Sequence, residues 1–387
     1  MNTNPLLVLE SFGQSIWIDY LHRKSLKNGE IKKWIEEDGV SGLTSNPSIF
    51  EKAFGESPDY DEAIHALALQ GNTVDEMYQA LVVDDLQQAA DLFRPTYDLL
   101  EGRDGFVSLE VSPRLAYDTA GSIEEARRLW KAVNRPNLFI KIPATKEGLP
   151  AIQQLISEGI NVNITLLFGL ARYQEVADAY IAGLEALDAS GKPLDRIASV
   201  ASFFLSRIDV LIDPQLEKLR AESEAGAEKV AGLQGKVAIS SAKVAYQIYQ
   251  EIFTNERFRR LAQKGARVQR LLWASTSTKN PDYNDVMYVE PLIGRDTINT
   301  VPLETLHAYR DHGQPEARLE EGVGEAFSVL DRLGETGIDL DEMTQQLEDE
   351  GVSKFSKAFD KLTAVLSEKR TAAFPEPLEK QITRTDE

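Results

Sequence analysis

A lysine stands inside an apolar run, LFIKIP at 138–143, with Ile140 and Ile142 on either side of Lys141. A charged amine is costly to bury unless it is paired, and desolvation favours its neutral form. The neutral amine is a nucleophile toward a ketone carbonyl, so a lysine so placed is suited to Schiff-base chemistry. A lone lysine of this kind can also be an edge-strand residue facing solvent, and the neighbouring runs decide between the two. Ser108, Glu110 and Ser112 share one face of FVSLEVS at period two, and Asn163 and Thr165 share one face of VNITLLF. Asp19 closes SIWIDY, Asn46 follows GVSGLTS in the turn TSNPS, and Ser202 lies in IASVASFF with Arg207 just beyond it. An amine with carboxylic acids and hydroxyls around it has the groups needed for nucleophilic addition and general acid–base catalysis.

These residues need a frame that brings separate segments together. Eight short apolar runs read as buried strands, at 15–20, 39–45, 106–112, 138–143, 162–168, 197–204, 267–276 and 286–294. Longer amphipathic segments alternate with them. Thr73 with Glu76 and Ser122 with Glu125 fit the capping box that opens a helix, and the helix after Thr73 is expected to end near Pro95. Gly159 is placed to end the helix before the fifth strand. Strand–helix alternation implies a parallel sheet, and eight units favour a closed (β/α)8 TIM barrel with additional helices. Six consecutive strands then put a polar group within or just past their C-terminal halves, where barrel active sites are assembled. The chain reads as one domain over 1–370, with insertions near 46–72 and 213–236 and a polar tail over 371–387.

Candidates for binding an anion follow the later strands. Arg207 comes after the sixth and Lys279 after the seventh, in WASTSTKNP, where Ser275, Thr276, Ser277 and Thr278 add hydroxyls. Loops late in a barrel often hold phosphate. Neither a G-x-x-x-x-G-K-[ST] nor a G-x-G-x-x-G motif occurs, and GVG at 322–324 is incomplete, so nucleotide binding is not indicated.

Composition narrows the partners. The formal charge of −20 argues against nucleic acid and against anionic membrane surfaces, both of which call for a basic patch. The chain has no cysteine, which excludes thiolate chemistry and fits a reducing, cytoplasmic setting. Its four histidines, His22, His65, His307 and His312, show no metal-ligand spacing, so no metal and no cofactor is expected. The N-terminus lacks the pattern of a signal peptide and no run is long enough to span a membrane. A homo-oligomer is compatible with everything in the sequence.

Taken together and in order, TSNPSIF, SLEVSPRLAYDT, FIKIPAT, GINVNITLLF and SVASFFLSRID, followed by WASTSTKNPDY and INTVP, resemble the transaldolase family in its longer bacterial type. The resemblance runs from Asp19 to about Pro302 and implies a (β/α)8 barrel. It implies that Lys141 forms a Schiff base with the C2 carbonyl of a ketose phosphate and that Asp19 takes the proton of the C4 hydroxyl. Glu110 and Thr165 would hold a water that carries protons during imine formation. Asn46 and Asn163 would hold hydroxyls of the dihydroxyacetone unit, with Ser202 supporting the same end. Arg207 would bind the terminal phosphate with Ser275 and Lys279. Shorter relatives carry an arginine where this chain offers Lys279, which acts as a point charge rather than a planar fork.

The implied reaction moves dihydroxyacetone from sedoheptulose 7-phosphate or fructose 6-phosphate to glyceraldehyde 3-phosphate or erythrose 4-phosphate, a step of the non-oxidative pentose phosphate pathway. Two alternatives share the same residues. A class I fructose-6-phosphate-type aldolase would release the ketone, but such enzymes usually replace the glutamate that stands here at 110. A non-catalytic sugar-phosphate-binding barrel would give no covalent adduct at Lys141.

Overall fold

The computed structural model describes residues 4–374. Its eight strands are β1 (Gln14–Asp19), β2 (Val40–Thr44), β3 (Val107–Glu110), β4 (Leu138–Pro143), β5 (Val162–Leu167), β6 (Ser199–Phe204), β7 (Arg270–Ala274) and β8 (Thr297–Val301). All neighbours are parallel, and β8 pairs back onto β1 to close the (β/α)8 barrel. Strands 3 to 6 are buried at every position, as expected when side chains point alternately into the barrel and under the helical ring.

The first seven strands lie where the apolar runs place them, whereas the eighth does not. Residues 286–294 form an irregular segment with a 3-10 turn at Glu290–Leu292, and the strand follows at Thr297–Val301. Pro291 has no N–H to give a ladder, so Val286, Tyr288, Val289, Leu292 and Ile293 bury themselves without pairing. The true strand, TINTV, is short and half polar and carries no apolar run.

Helix boundaries divide in the same way. Thr73 and Glu76 make both bonds of the capping box that opens Val74–Leu99, but that helix continues through Pro95 to Leu99. The second expected capping box is absent. Asp118 caps Thr119–Val133 through the Gly121 amide, Ser122 lies inside that helix, and Glu125 accepts from the Ser112 amide instead. Gly159 ends Gly148–Glu158 in the left-handed region at φ 94°. Of the two extra segments, 46–72 holds the helices Pro47–Glu56 and Asp61–Leu69, and 213–236 holds the end of Ser206–Glu222 and the short helix Glu224–Val230. Asp209 and Asp213 on Ser206–Glu222 accept from Tyr288 and Tyr283, tying that helix to the long β7–β8 connection. The expected polar tail begins inside the final helix, Leu340–Ala372, and residues 375–387 lie outside the described residues. No helix among the described residues is long and apolar enough to cross a membrane.

The barrel interior is apolar at its base. Phe139 stacks on Phe106 at 4.2 Å between ring centroids and lies 6.2 Å from Trp17, whose indole N–H donates to Asp104. Phe139 is two residues before Lys141 on β4 and shares its face, so the rings form a floor under the lysine. Gly42 makes room for that floor, because a Cβ there would stand 2.3 Å from the Trp17 ring. Gly42→Ala is therefore expected to overpack the base and lower stability by roughly 1–3 kcal/mol. Chemical denaturation would show this as a lower midpoint at an unchanged slope, and an unaltered midpoint would contradict it.

Candidate functional site

The register of the barrel brings the chemistry together. Glu110 pairs with Lys141 across β3 and β4, and Lys141 with Asn163 across β4 and β5. Both Glu110 and Lys141 are buried. The Lys141 Nζ donates to the Ser45 carbonyl at 3.0 Å and stands 3.2 Å from Glu110 Oε2. That second approach is an ion pair off the direction of a good hydrogen bond, since neither Glu110 oxygen has a well-directed donor. Burial raises the Glu110 pKa above the usual carboxylate value, and the Lys141 charge pulls it part of the way back.

Asp19 ends β1 above the same floor. It accepts from Thr44 Oγ1 at 2.8 Å, and Asn46 Nδ2 stands 3.5 Å from both of its oxygens. Burial raises its pKa. The Lys141 charge and the hydrogen bonds from Thr44 and Asn46 oppose that rise, while Glu304 adds to it. Asn46 is aimed by its own local structure. It caps Pro47–Glu56, and its Oδ1 accepts from the Ser48 and Ile49 amides, so its Nδ2 is left to face the site.

Asn163 and Thr165 differ in how their polar atoms are used. Asn163 donates to Ser108 Oγ at 3.0 Å and accepts from Ser202 Oγ at 2.7 Å. The amide thus braces three strands and does not line the cavity, whereas Ser202 does. Thr165 Oγ1 is buried at the cavity wall without a hydrogen-bond partner among the described residues. Buried polar atoms are seldom left unpaired, so Thr165 and Glu110 are both poised to bind a small polar group.

The cavity has a volume of about 340 Å³ and opens at the C-terminal end of the barrel, with Lys141, Asp19 and Asn46 in its lining. Arg207 also lines it, its guanidinium carbon 5.5 Å from the Phe204 ring centroid and 5.8 Å from that of Phe355. Burial lowers the Arg207 pKa. Ser275 lines the cavity in the left-handed region at φ 54°, a costly backbone for a residue other than glycine, and its hydroxyl meets that of Ser206 at 2.8 Å. Lys279 lines it too and donates to Ser277.

Lys141, Asp19, Asn46, Thr165, Ser202, Arg207, Ser275 and Lys279 therefore line one cavity with Thr276 and Ser277, Glu110 and Asn163 stand behind its wall, and Thr278 does not line it. Thr44, Thr300, Phe204, Glu304, Lys52, Lys354 and Phe355 also line it and were not singled out. Thr44 and Phe204 carried a signal, since each shares a strand face with a candidate two residues away or a neighbouring run. Lys354 and Phe355 carried none, because they come from a helix far along the chain. Among the described residues no group of three His, Cys, Asp or Glu side chains is arranged to hold a metal ion.

Comparison with known proteins agrees with this geometry. The family model described as Transaldolase/Fructose-6-phosphate aldolase matches residues 16–366. A protein named Transaldolase from Thiobacillus denitrificans is 50% identical over 352 residues, covering 91% of this chain and 96% of that protein. Another Transaldolase, from Trichodesmium erythraeum, is 48% identical over 375 residues, or 95% of this chain and 98% of the relative. A Transaldolase from Saccharopolyspora erythraea is 47% identical over 370 residues, again 95% and 98%.

The hydrogen-bond layout makes one titration testable. Thr44 lowers the Asp19 pKa, so Thr44→Val is expected to move the Asp19 midpoint further up in pH. Carboxyl NMR of aspartate-labelled protein, with Asp19→Asn to identify the signal, measures this directly. A midpoint that stays or falls would show that the hydroxyl does not stabilise the carboxylate.

Proposed function

The chain belongs to the transaldolase/fructose-6-phosphate aldolase family, and on that footing we propose that it transfers a dihydroxyacetone unit between sugar phosphates through a Schiff base on Lys141. It is an enzyme, a transaldolase. The observation that carries the assignment of roles is the position of one amine. Lys141 Nζ is buried on the apolar floor, 3.2 Å from one carboxylate, in a cavity lined also by a second carboxylate, Asp19, and by Arg207 and Lys279, which make no ion pair among the described residues.

The Lys141 amine adds to the C2 carbonyl of the donor ketose phosphate, sedoheptulose 7-phosphate or fructose 6-phosphate. Glu110 is the nearest base for the proton the amine must shed. Its raised pKa suits it to return that proton to the departing hydroxyl, with a water held between Glu110 and Thr165 as carrier. Loss of water gives a protonated imine. Asp19 then takes the C4 hydroxyl proton, the C3–C4 bond breaks, and its electron pair flows into the imine to form a neutral enamine. The aldehyde leaves. Glyceraldehyde 3-phosphate or erythrose 4-phosphate enters, the enamine carbon attacks its carbonyl, and Asp19 gives the proton to the new hydroxyl. Asn46 and Ser202 hold the hydroxyls of the retained unit, with Asn163 bracing Ser202 from behind. Arg207, Ser275 and Lys279 take the phosphate.

Three variants and one product measurement divide these roles. Lys141→Ala is expected to abolish both turnover and the adduct trapped by borohydride with fructose 6-phosphate, and full activity in that variant would refute the assignment. Glu110→Gln is expected to slow imine formation on the order of a hundredfold or more while substrate still binds. Asp19→Ala is expected to spare the imine and block cleavage, so its trapped adduct carries the whole hexose phosphate by mass. A three-carbon adduct accumulating in Asp19→Ala would remove Asp19 from the cleavage step. Free dihydroxyacetone, measured beside transfer product in the wild type, separates transfer from simple aldol cleavage.

A further inference from the structure

The final helix, Leu340–Ala372, reaches over the mouth of the barrel. Its closest approach is at Gly351, where a Cβ would stand 2.9 Å from Leu166 Cδ2 and 3.7 Å from Arg207 Nη1. One helical turn later it places Phe355 against the Arg207 guanidinium and Lys354 on the cavity wall. Arg207, Lys279 and Lys354 thus line the same cavity. Among the described residues none of the three has a carboxylate within ion-pair distance, although the chain carries 62 acidic residues against 42 Lys and Arg. The Lys354 pKa is lowered, first by Arg207, then by burial, then by Lys279. Asp19 and Glu350 act on Arg207 only from beyond ion-pair distance, and cations that repel one another without a carboxylate in contact are held together at a cost, which an anion bound among them would remove.

We propose that Lys354 is a third phosphate ligand, delivered by the C-terminal helix, and that it sets the preference of the enzyme for phosphorylated substrates. The helix brings it to the site by two contacts. Gly351 permits the approach to β5, and Phe355 packs beside the Arg207 guanidinium, its ring centroid 5.8 Å from the guanidinium carbon. A planar guanidinium offers a fork of N–H donors, and two flexible ammonium groups can close on the remaining phosphate oxygens. This inference rests on the sugar-phosphate reading of the site given above.

The test compares a phosphorylated with an unphosphorylated ketone. Lys354 is exposed at the cavity mouth, so its substitution leaves the core intact. In Lys354→Gln the KM for fructose 6-phosphate is expected to rise about tenfold or more, as loss of a charged hydrogen bond implies, with kcat nearly unchanged. Inhibition by inorganic phosphate should weaken in parallel, Lys354→Arg should restore most of both, and borohydride trapping of unphosphorylated dihydroxyacetone should proceed at the wild-type rate. An unchanged KM for fructose 6-phosphate, or an equal loss with dihydroxyacetone, would overturn the role of Lys354 while leaving the transaldolase reading intact. Failure of the wild-type protein to trap either ketone would instead overturn the Schiff-base reading itself.

Discussion

A buried amine beside a buried carboxylate is the contact around which this molecule is arranged. Removing an ammonium and a carboxylate from water costs several kcal/mol per ion, and only good geometry offsets it. Here the geometry comes from strand register, because Glu110 and Lys141 are direct partners across β3 and β4. A shift of one residue would turn one of the two side chains out toward the helices. Barrel closure prevents that shift, since every strand is paired on both sides. On the Schiff-base reading the same contact also serves the chemistry. The protonated imine keeps a positive charge where the ammonium had one, so the neighbouring carboxylate keeps its partner through the first half of the reaction.

The second organising feature is the set of cations around the cavity. Asp19 lines it with the amine and Glu110 stands behind the wall, while Arg207, Lys279 and Lys354 line it close enough together that the first two lower the Lys354 pKa. A protein with a net charge of −20 repels anions at long range, so an anionic substrate must be attracted locally. Phe204 and Phe355 lie beside the Arg207 guanidinium, and no carboxylate among the described residues is within ion-pair distance of it, although Asp19 and Glu350 act on it from further away.

How far the sequence reveals this depends on whether a feature is local. Seven strands and the Lys141 strand in particular are legible because a closed parallel sheet requires short apolar runs, and polar interruptions at period two mark the inward face. The eighth strand is not, because the buried residues between Val286 and Ile293 belong to an irregular segment, and TINTV contributes only two apolar side chains of its own. The cap at Thr73 is legible, while Ser122 and Glu125 have the right spacing and the wrong context, since Asp118 captures the helix start first. Lys354 is silent for a different reason. Its helix shows an ordinary amphipathic pattern, and nothing within that pattern says that part of it lies over a cavity built from strands and loops far earlier in the chain.

Hydrogen-bond accounting draws a line through the ring of polar residues that sequence pattern cannot draw. Asn163 is spent on Ser108 and Ser202, and Thr44 reaches both Asp19 and Thr300. Such residues hold the site in shape, and their chemistry is already satisfied before any ligand arrives. Glu110 and Thr165 are different. Each keeps buried polar atoms that no described residue satisfies with good geometry, and both sit where the proposed reaction needs a proton carrier. Orphaned groups inside a fold are a cost to stability. Within the ring of polar residues at the site, that cost falls on Glu110 and Thr165 and is relieved at the equally polar Asn163, the pattern expected of a site whose missing partners belong to the substrate and its water.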